Sequence, residues 1–189
     1  MKIKLLKFKT VKSTNDAALN LIKKKNLGPT MILSDIQTHG RGTMGKKWIS
    51  KKGNLFMSIF FEMSQKKINF KHFAILNAFL LKEVISNEFT KKIKIKWPND
   101  LLFNKKKICG ILQEVVNHKD KKFLIVGIGI NTNIDLKNKG FSSTSLKKIM
   151  NKNIDNNKLS NKIRNIYEKF LVKAKKLSYS KLKNIYYNL

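Results

Sequence analysis

Residues 93–131 read IKIKWPNDLLFNKKKICGILQEVVNHKDKKFLIVGIGIN. Ile93-Lys-Ile-Lys-Trp97 alternates apolar and polar residues with period two, the spacing of a half-buried strand. Pro98-Asn99-Asp100 turns the chain, and strands are expected at Leu101–Phe103 and Lys107–Val116. His118-Lys119-Asp120 then makes a polar hairpin turn into a strand over Phe123–Asn131. Strands joined by turns this short pair antiparallel, because a parallel pair needs a crossover of a dozen residues or so.

Working outward from this stretch, residues 3–8 read as a first strand. Ser13-Thr14-Asn15-Asp16 supplies an N-cap and early acid for a helix to about Lys25. Gly28-Pro29 breaks it before a strand over Thr30–Ile36. Residues 38–53 hold four of the nine glycines and show almost no apolar periodicity, which marks a long loop of the functional kind. Asn54–Phe61 is a β-rich run, and Phe70–Phe89 carries the apolar spacing of the main core helix. Beyond Asn131 the chain turns rich in lysine and asparagine, with helices expected at Thr144–Met150, Leu159–Lys173 and Tyr179–Tyr187. Helices early, midway and late around hairpin strands indicate an α+β fold: a mixed, largely antiparallel sheet with flanking helices.

The length of 189 residues with 42% hydrophobic content suits one globular domain with a real core. Its 41 basic residues against 11 acidic ones leave a net charge of +30. Only Arg41 and Arg164 are arginine, so 39 are lysine, and with 21 asparagines and 22 isoleucines these three types dominate the chain. All three have codons rich in A and T, and the lysines are spread evenly. A dedicated nucleic-acid surface clusters its charge and favours arginine, so nonspecific adhesion to polyanions is expected but not a nucleic-acid function. A single cysteine, Cys109, excludes a disulfide framework or a cysteine zinc site. No stretch has the apolar length of a signal peptide or membrane span, and a soluble cytoplasmic protein is expected.

The loop Gly40-Arg41-Gly42-Thr43-Met44-Gly45-Lys46-Lys47-Trp48 mimics two nucleotide-binding patterns. Gly40, Gly42 and Gly45 spell G-x-G-x-x-G, with Glu62 where a ribose-binding acid would stand, but no helix opens at the third glycine. The same residues fall one short of a P-loop, since Lys47 replaces the hydroxyl residue that must reach magnesium. What survives both tests is physical. Backbone N–H groups freed by glycine, together with one fork-shaped guanidinium, can close on an anion.

Five segments together resemble the biotin–protein ligase family. They are Ser13-Thr14-Asn15, Gln37 with Gly40-Arg41-Gly42 through Trp48, Lys96-Trp97-Pro98-Asn99-Asp100, Lys107-x-x-Gly110-Ile111-Leu112, and Gly127-Ile-Gly129-Ile-Asn131; Thr144-Ser145-Leu146 is a weaker sixth. The resemblance implies the fold shared with class II aminoacyl-tRNA synthetase cores and lipoate ligases. It also implies a two-step reaction. The biotin carboxylate attacks the α-phosphate of ATP to give biotinyl-5′-AMP and pyrophosphate, and a lysine of a biotin carboxyl carrier protein then takes the acyl group, releasing AMP.

By the same resemblance, Ser13, Thr14, Asn15 and Gln37 are expected at the ureido head of biotin, with Gly40, Gly42 and Gly110 lining its slot. Arg41 and Lys107 are expected as the catalytic cations on the reacting oxyanions. Trp48, Lys96, Asn99, Asp100 and Asn131 are expected at the nucleotide, with Asp100 also the candidate for Mg²⁺. Each has a plainer reading: Ser13 and Thr14 as a helix cap, Trp48 as core, Asp100 as a turn residue. Thr43 and Met44 stand where many members carry further basic residues. Residues 1–189 are expected to form one catalytic domain, its motifs within 13–146 and a helical segment over 147–189. Neither a helix-turn-helix domain nor a C-terminal barrel is expected. The partner is a carrier protein, with the chain a monomer or homodimer and no membrane or dedicated nucleic-acid partner. Rival readings are a lipoyl or octanoyl transferase or ligase of the same fold, some of which use a cysteine where Cys109 is a candidate, and a non-catalytic basic nucleic-acid-binding module.

Overall fold

In the computed structural model, which describes residues 1–25, 28–63, 68–136 and 142–187, seven strands form one sheet in the order β1-β2-β3-β7-β6-β5-β4. The strands are β1 (Lys4–Val11), β2 (Thr30–Gln37), β3 (Leu55–Glu62), β4 (Ile93–Lys96), β5 (Asp100–Phe103), β6 (Lys106–His118) and β7 (Lys121–Ile130). The helices are α1 (Thr14–Lys25), α2 (Phe70–Glu88), α3 (Leu146–Met150), α4 (Asn156–Ala174) and α5 (Tyr179–Tyr187). β1 and β2 run parallel around the α1 crossover, and every other pair is antiparallel. The α+β expectation with a mixed, largely antiparallel sheet holds.

Several boundaries move for local reasons. The β5–β6 turn places Asn104 and Lys105 at φ 46° and 64°, the left-handed pair of a two-residue hairpin whose twist suits the strands. The β6–β7 turn shrinks to Lys119-Asp120, so both strands run further than the polar residues at 117–122 suggest. α4 begins ahead of its first apolar residue because the Asp155 carboxylate accepts from the backbone N–H of Asn157 and Lys158. Asp100, expected in the turn, is a strand residue opposite Lys96 and Gly110. Residues 137–141 of the lysine- and asparagine-rich stretch lie outside the described residues.

The strand period sorts the central sheet into two faces. On one, Leu55, Met57, Ile59, Val126, Ile128, Ile130, Cys109 and Ile111 enter the main core with apolar residues of α2 and α4. A buried polar chain ties these layers together: the Tyr167 hydroxyl donates to Asn77 Oδ1 at 2.9 Å, and Asn77 Nδ2 donates to Gln113 on β6 at 2.6 Å. The other face is covered over only part of its length. Ala18 and Ile22 of α1 pack on Ile32, Phe60, Phe123 and Ile125. Beyond α1, that face presents Gly110, Gly127 and Gly129, with Gly110 opposite Gly129 and Gly127 opposite Leu112. The missing side chains make a hollow where a helix would otherwise sit. Among the described residues, no helix is long and apolar enough to cross a membrane.

Candidate functional site

The hollow becomes a cavity because the loop after β2 folds over it. The loop closes on itself through the backbone N–H of Gly42 to the Lys46 carbonyl at 2.6 Å and of Trp48 to the Gly40 carbonyl at 2.9 Å. Its tip, Met44-Gly45, takes φ of 55° and 73°. No α-helix follows Gly45; the chain passes from the loop into β3, so the dinucleotide and P-loop patterns both lack their helix.

Trp48 then lies on the sheet itself. A Cβ added at Gly129 would stand 2.4 Å from the indole, and one at Gly110 would stand 2.6 Å from it. Any larger residue at either position would displace the ring. Thr14, Gln37, Arg41, Trp48, Lys107 and Gly129 are among the residues lining an inner cavity of about 40 Å³. Outside the loop is a second cavity of about 810 Å³, which also touches Arg41, Gly42 and Trp48. The loop is thus the wall between the two.

One side of the inner cavity is a hydrogen-bonded polar wall. Thr14 donates its backbone N–H (2.8 Å) and its hydroxyl (3.1 Å) to Gln37 Oε1. Gln37 Nε2 donates to Ser50 Oγ at 2.8 Å, which binds the loop back to β2. Ser58 Oγ stands 2.7 Å from Thr14 Oγ1 and 2.5 Å from Asn15 Oδ1. The Thr14 and Ser58 hydroxyls each carry one proton and can also accept, so these contacts form one hydrogen-bonded chain from Gln37 through Thr14 and Ser58 to Asn15.

Cations stand on the other side. Lys107 and Gly110 are three residues apart, a spacing that in a regular strand sends side chains to opposite faces. The β5–β6 register shifts between Leu101 and Leu102, and this bulge turns Lys107 to the cavity. Its Cε lies 3.2 Å from the position a Gly110 Cβ would take, and its Nζ is 5.2 Å from the centroid of the Trp48 ring. The ammonium meets Asp100 Oδ1 at 2.6 Å, an ionic contact without hydrogen-bond alignment.

Arg41 forks onto Glu114, Nη1 to Oε1 and Nη2 to Oε2, both at 2.8 Å. Nη2 also donates to Asp16 Oδ1 at 2.8 Å. Burial works against the guanidinium charge, but the two carboxylates outweigh it and hold the Arg41 pKa above its ordinary value.

The structure therefore gathers Thr14, Gln37, Arg41, Gly42, Trp48, Asn99, Lys107 and Gly110 around one cavity. Gly40 lines the outer one, where an added Cβ would meet the Trp48 carbonyl at 2.4 Å. Ser13 instead caps α1, accepting from the N–H of Asn15 and Asp16, and does not line the cavity. Asn15 is buried behind it, donating to Glu114 Oε2 at 2.6 Å and pressing on Gly127. Asn131 is likewise buried; it contacts the Lys107 carbonyl at 3.4 Å and leaves Oδ1 without a hydrogen-bond partner. Lys96 is exposed at the end of edge strand β4 and lines neither cavity. Cys109 is fully buried on the core face, and burial pushes its thiol far up.

Glu114, Asp16, Ser58 and Ser50 were not singled out from the sequence. Period two from Gly110 does reach Glu114 through Leu112; the others come to the site only through sheet pairing and the loop fold.

Among the described residues, no group of three His, Cys, Asp or Glu side chains could hold a metal ion. Asp100, already facing an ammonium, offers Mg²⁺ one carboxylate at most. Magnesium characteristically takes one or two carboxylates plus substrate phosphates and water, so this residue fits an ion that arrives with a nucleotide.

Comparison with known proteins agrees with this geometry. The bifunctional ligase/repressor BirA of Escherichia coli is 32% identical over 123 residues, 64% of this chain and 38% of that protein. BirA of Bacillus subtilis is 35% identical over 123 residues, with the same coverage. The matched segment is thus well under half the length of these relatives. A structure of biotin protein ligase from Aquifex aeolicus in complex with biotin and ATP superposes with a TM-score of 0.80 at 32% identity, covering 96% of this chain and 75% of that one. Residues 7–131 match the sequence model of the biotin/lipoate A/B protein ligase family, and the chain belongs to that family.

Proposed function

We propose that this chain activates biotin with ATP and transfers it to a lysine of a biotin carboxyl carrier protein. The observation that carries the reading is the pairing of opposite chemistries across one glycine-floored cavity. A neutral polar pair, Thr14 and Gln37, lines the same cavity as two cations, Arg41 and Lys107. A ureido ring supplies N–H donors and a carbonyl acceptor for Thr14 and Gln37, while its valerate tail leads the carboxylate toward the cations.

In the first step a carboxylate oxygen attacks the α-phosphorus, the bond to the pyrophosphate oxygen breaks, and pyrophosphate leaves. In the second, a neutral lysine amine of the carrier attacks the acyl carbon, AMP departs with the bridging oxygen, and the nitrogen gives up a proton to water. Neither step needs an enzyme nucleophile. Arg41 and Lys107 neutralise charge on the reacting oxygens, and Trp48 shields the mixed anhydride from water. Asn99 is assigned to the nucleotide side, and Asp100 positions Lys107 while offering the magnesium–nucleotide one carboxylate. Residues 1–189 act in this reading as one catalytic unit.

The test is biotin- and ATP-dependent labelling of a biotin carboxyl carrier domain, with lipoate and octanoate as alternative acids. Labelling with biotin alone is expected. Labelling only with lipoate or octanoate would replace the biotin assignment. The buried, protonated Cys109 disfavours a cysteine-borne acyl intermediate.

A further inference from the structure

The Arg41 guanidinium does not face the cavity unopposed. Glu114 reaches it because period two along β6 puts Gly110, Leu112 and Glu114 on the face that carries the hollow, with Glu114 opposite Ile125. Asp16 reaches it from the first turn of α1. The Glu114 carboxylate is itself aimed, since Asn15 Nδ2 donates to Oε2 at 2.6 Å. Two carboxylates thus surround one guanidinium, and these three side chains together carry one net negative charge. A carboxylate or phosphate arriving there meets a cation that is already neutralised.

We propose that Glu114, with Asp16, is a positioning residue for Arg41: the two carboxylates hold the guanidinium at the mouth and release it to the oxyanion of the bound substrate. The second half of this statement rests on the proposed activity; the first does not. The partners are suited to exchange. Arg41, Asp16 and Glu114 side chains are 41%, 39% and 31% exposed, and pairs that water can reach are weak enough to be swapped for a better anion. The swap preserves charge compensation, because the guanidinium trades one bidentate carboxylate for another oxyanion of similar geometry.

Arg41 and Arg164 are the arginines of this chain, so an arginine reagent reads the holding directly, with Arg164 as internal reference. Phenylglyoxal modification of each would be followed by mass spectrometry in wild type, Glu114→Gln and Asp16→Asn, without ligand. Arg41 is expected to react about threefold faster in each variant, the scale of losing one exposed ion pair, with Arg164 unchanged. Equal Arg41 rates in all three proteins would overturn the proposal.

The release half is read by biotin-dependent pyrophosphate exchange. With a competing carboxylate removed, Glu114→Gln should lower KM for ATP about threefold with kcat within about twofold. A raised KM, or a lowered kcat at unchanged KM, would mean that Glu114 braces the site and does not exchange. Should wild type itself show no exchange with biotin, the proposed activity fails while the phenylglyoxal result still decides the holding. Asp16→Asn keeps both measurements available if Glu114→Gln does not fold.

Discussion

Lys107 meets Asp100 across 2.6 Å because a bulge between β5 and β6 turns the lysine out of the alternation that would have buried it. The two side chains are about four-fifths enclosed, and Trp48 lies beside the ammonium. This geometry separates Lys107 from its exposed neighbours Lys105 and Lys106.

Lys107→Ala should therefore cost on two counts. It leaves the Asp100 carboxylate enclosed without its cation, lowering stability by about 2 kcal/mol, and it removes charge from the oxyanion site, lowering the exchange rate about 100-fold or more. Denaturant melts and pyrophosphate exchange check the two separately. Lys106→Ala should change neither by more than a small factor.

Gly129 is a contact position for Trp48. Gly129→Ala places a methyl group 2.4 Å from the indole, so the ring must leave the sheet. Exchange should fall about 100-fold, the scale of an ångström-sized misplacement at a reacting centre. Tryptophan fluorescence should shift as Trp48 moves, while Trp97, half-exposed in the turn after β4, is unaffected. Gly28→Ala, where a Cβ meets nothing within 4 Å, is the control and should leave both signals unchanged.

Much of this fold was legible along the chain, and the reason is periodicity. Alternation at 93–97, the break between strands after Phe103, the polar turn at 118–120 and the apolar run of α2 each announce themselves within a few residues. The motif residues Gln37, Arg41, Trp48, Lys107 and Gly110 line one cavity. Contacts set by pairing across the sheet were not legible. The bulge that aims Lys107 depends on register with β5, and the carboxylates on Arg41 come from residues 25 and 73 positions away. Ser13 and Asn15 share a motif with Thr14, yet successive directions at a helix start send one to the cap, one behind the wall and one into the cavity. Lys96 belongs to the Lys-Trp-Pro-Asn-Asp run, but strand alternation turns it outward.

Cys109 should behave as core. Burial holds its thiol protonated far above the ordinary value of 9.0, so folded protein should not react with disulfide reagents at pH 8. The linkage has a definite sign. A thiol whose pKa is raised by folding binds its proton more tightly in the folded state, so its stabilisation is complete below pH 9.0 and is lost as pH rises above that value. The wild-type stability curve should therefore fall more steeply above this point than that of Cys109→Ala, by up to about 1.4 kcal/mol per pH unit. Exchange activity should survive Cys109→Ala.

The net charge of +30 predicts a difference between the two half-reactions. Under the proposed function, transfer to a carrier of opposite charge would involve encounter between charged surfaces and should slow steeply with salt, since screening shortens to about 8 Å at physiological ionic strength. Adenylate formation inside the cavity should respond less. Single-turnover rates between low and physiological salt would show it; equal salt dependence would remove electrostatic steering of the carrier.

The most direct measurement is biotin-dependent exchange of labelled pyrophosphate into ATP with magnesium, in wild type and Arg41→Ala. It isolates acid activation and requires no knowledge of the carrier. Exchange that needs biotin and falls about 100-fold or more in Arg41→Ala is the predicted result. Exchange that proceeds equally without biotin, or that is indifferent to Arg41, would contradict an adenylating site in this cavity.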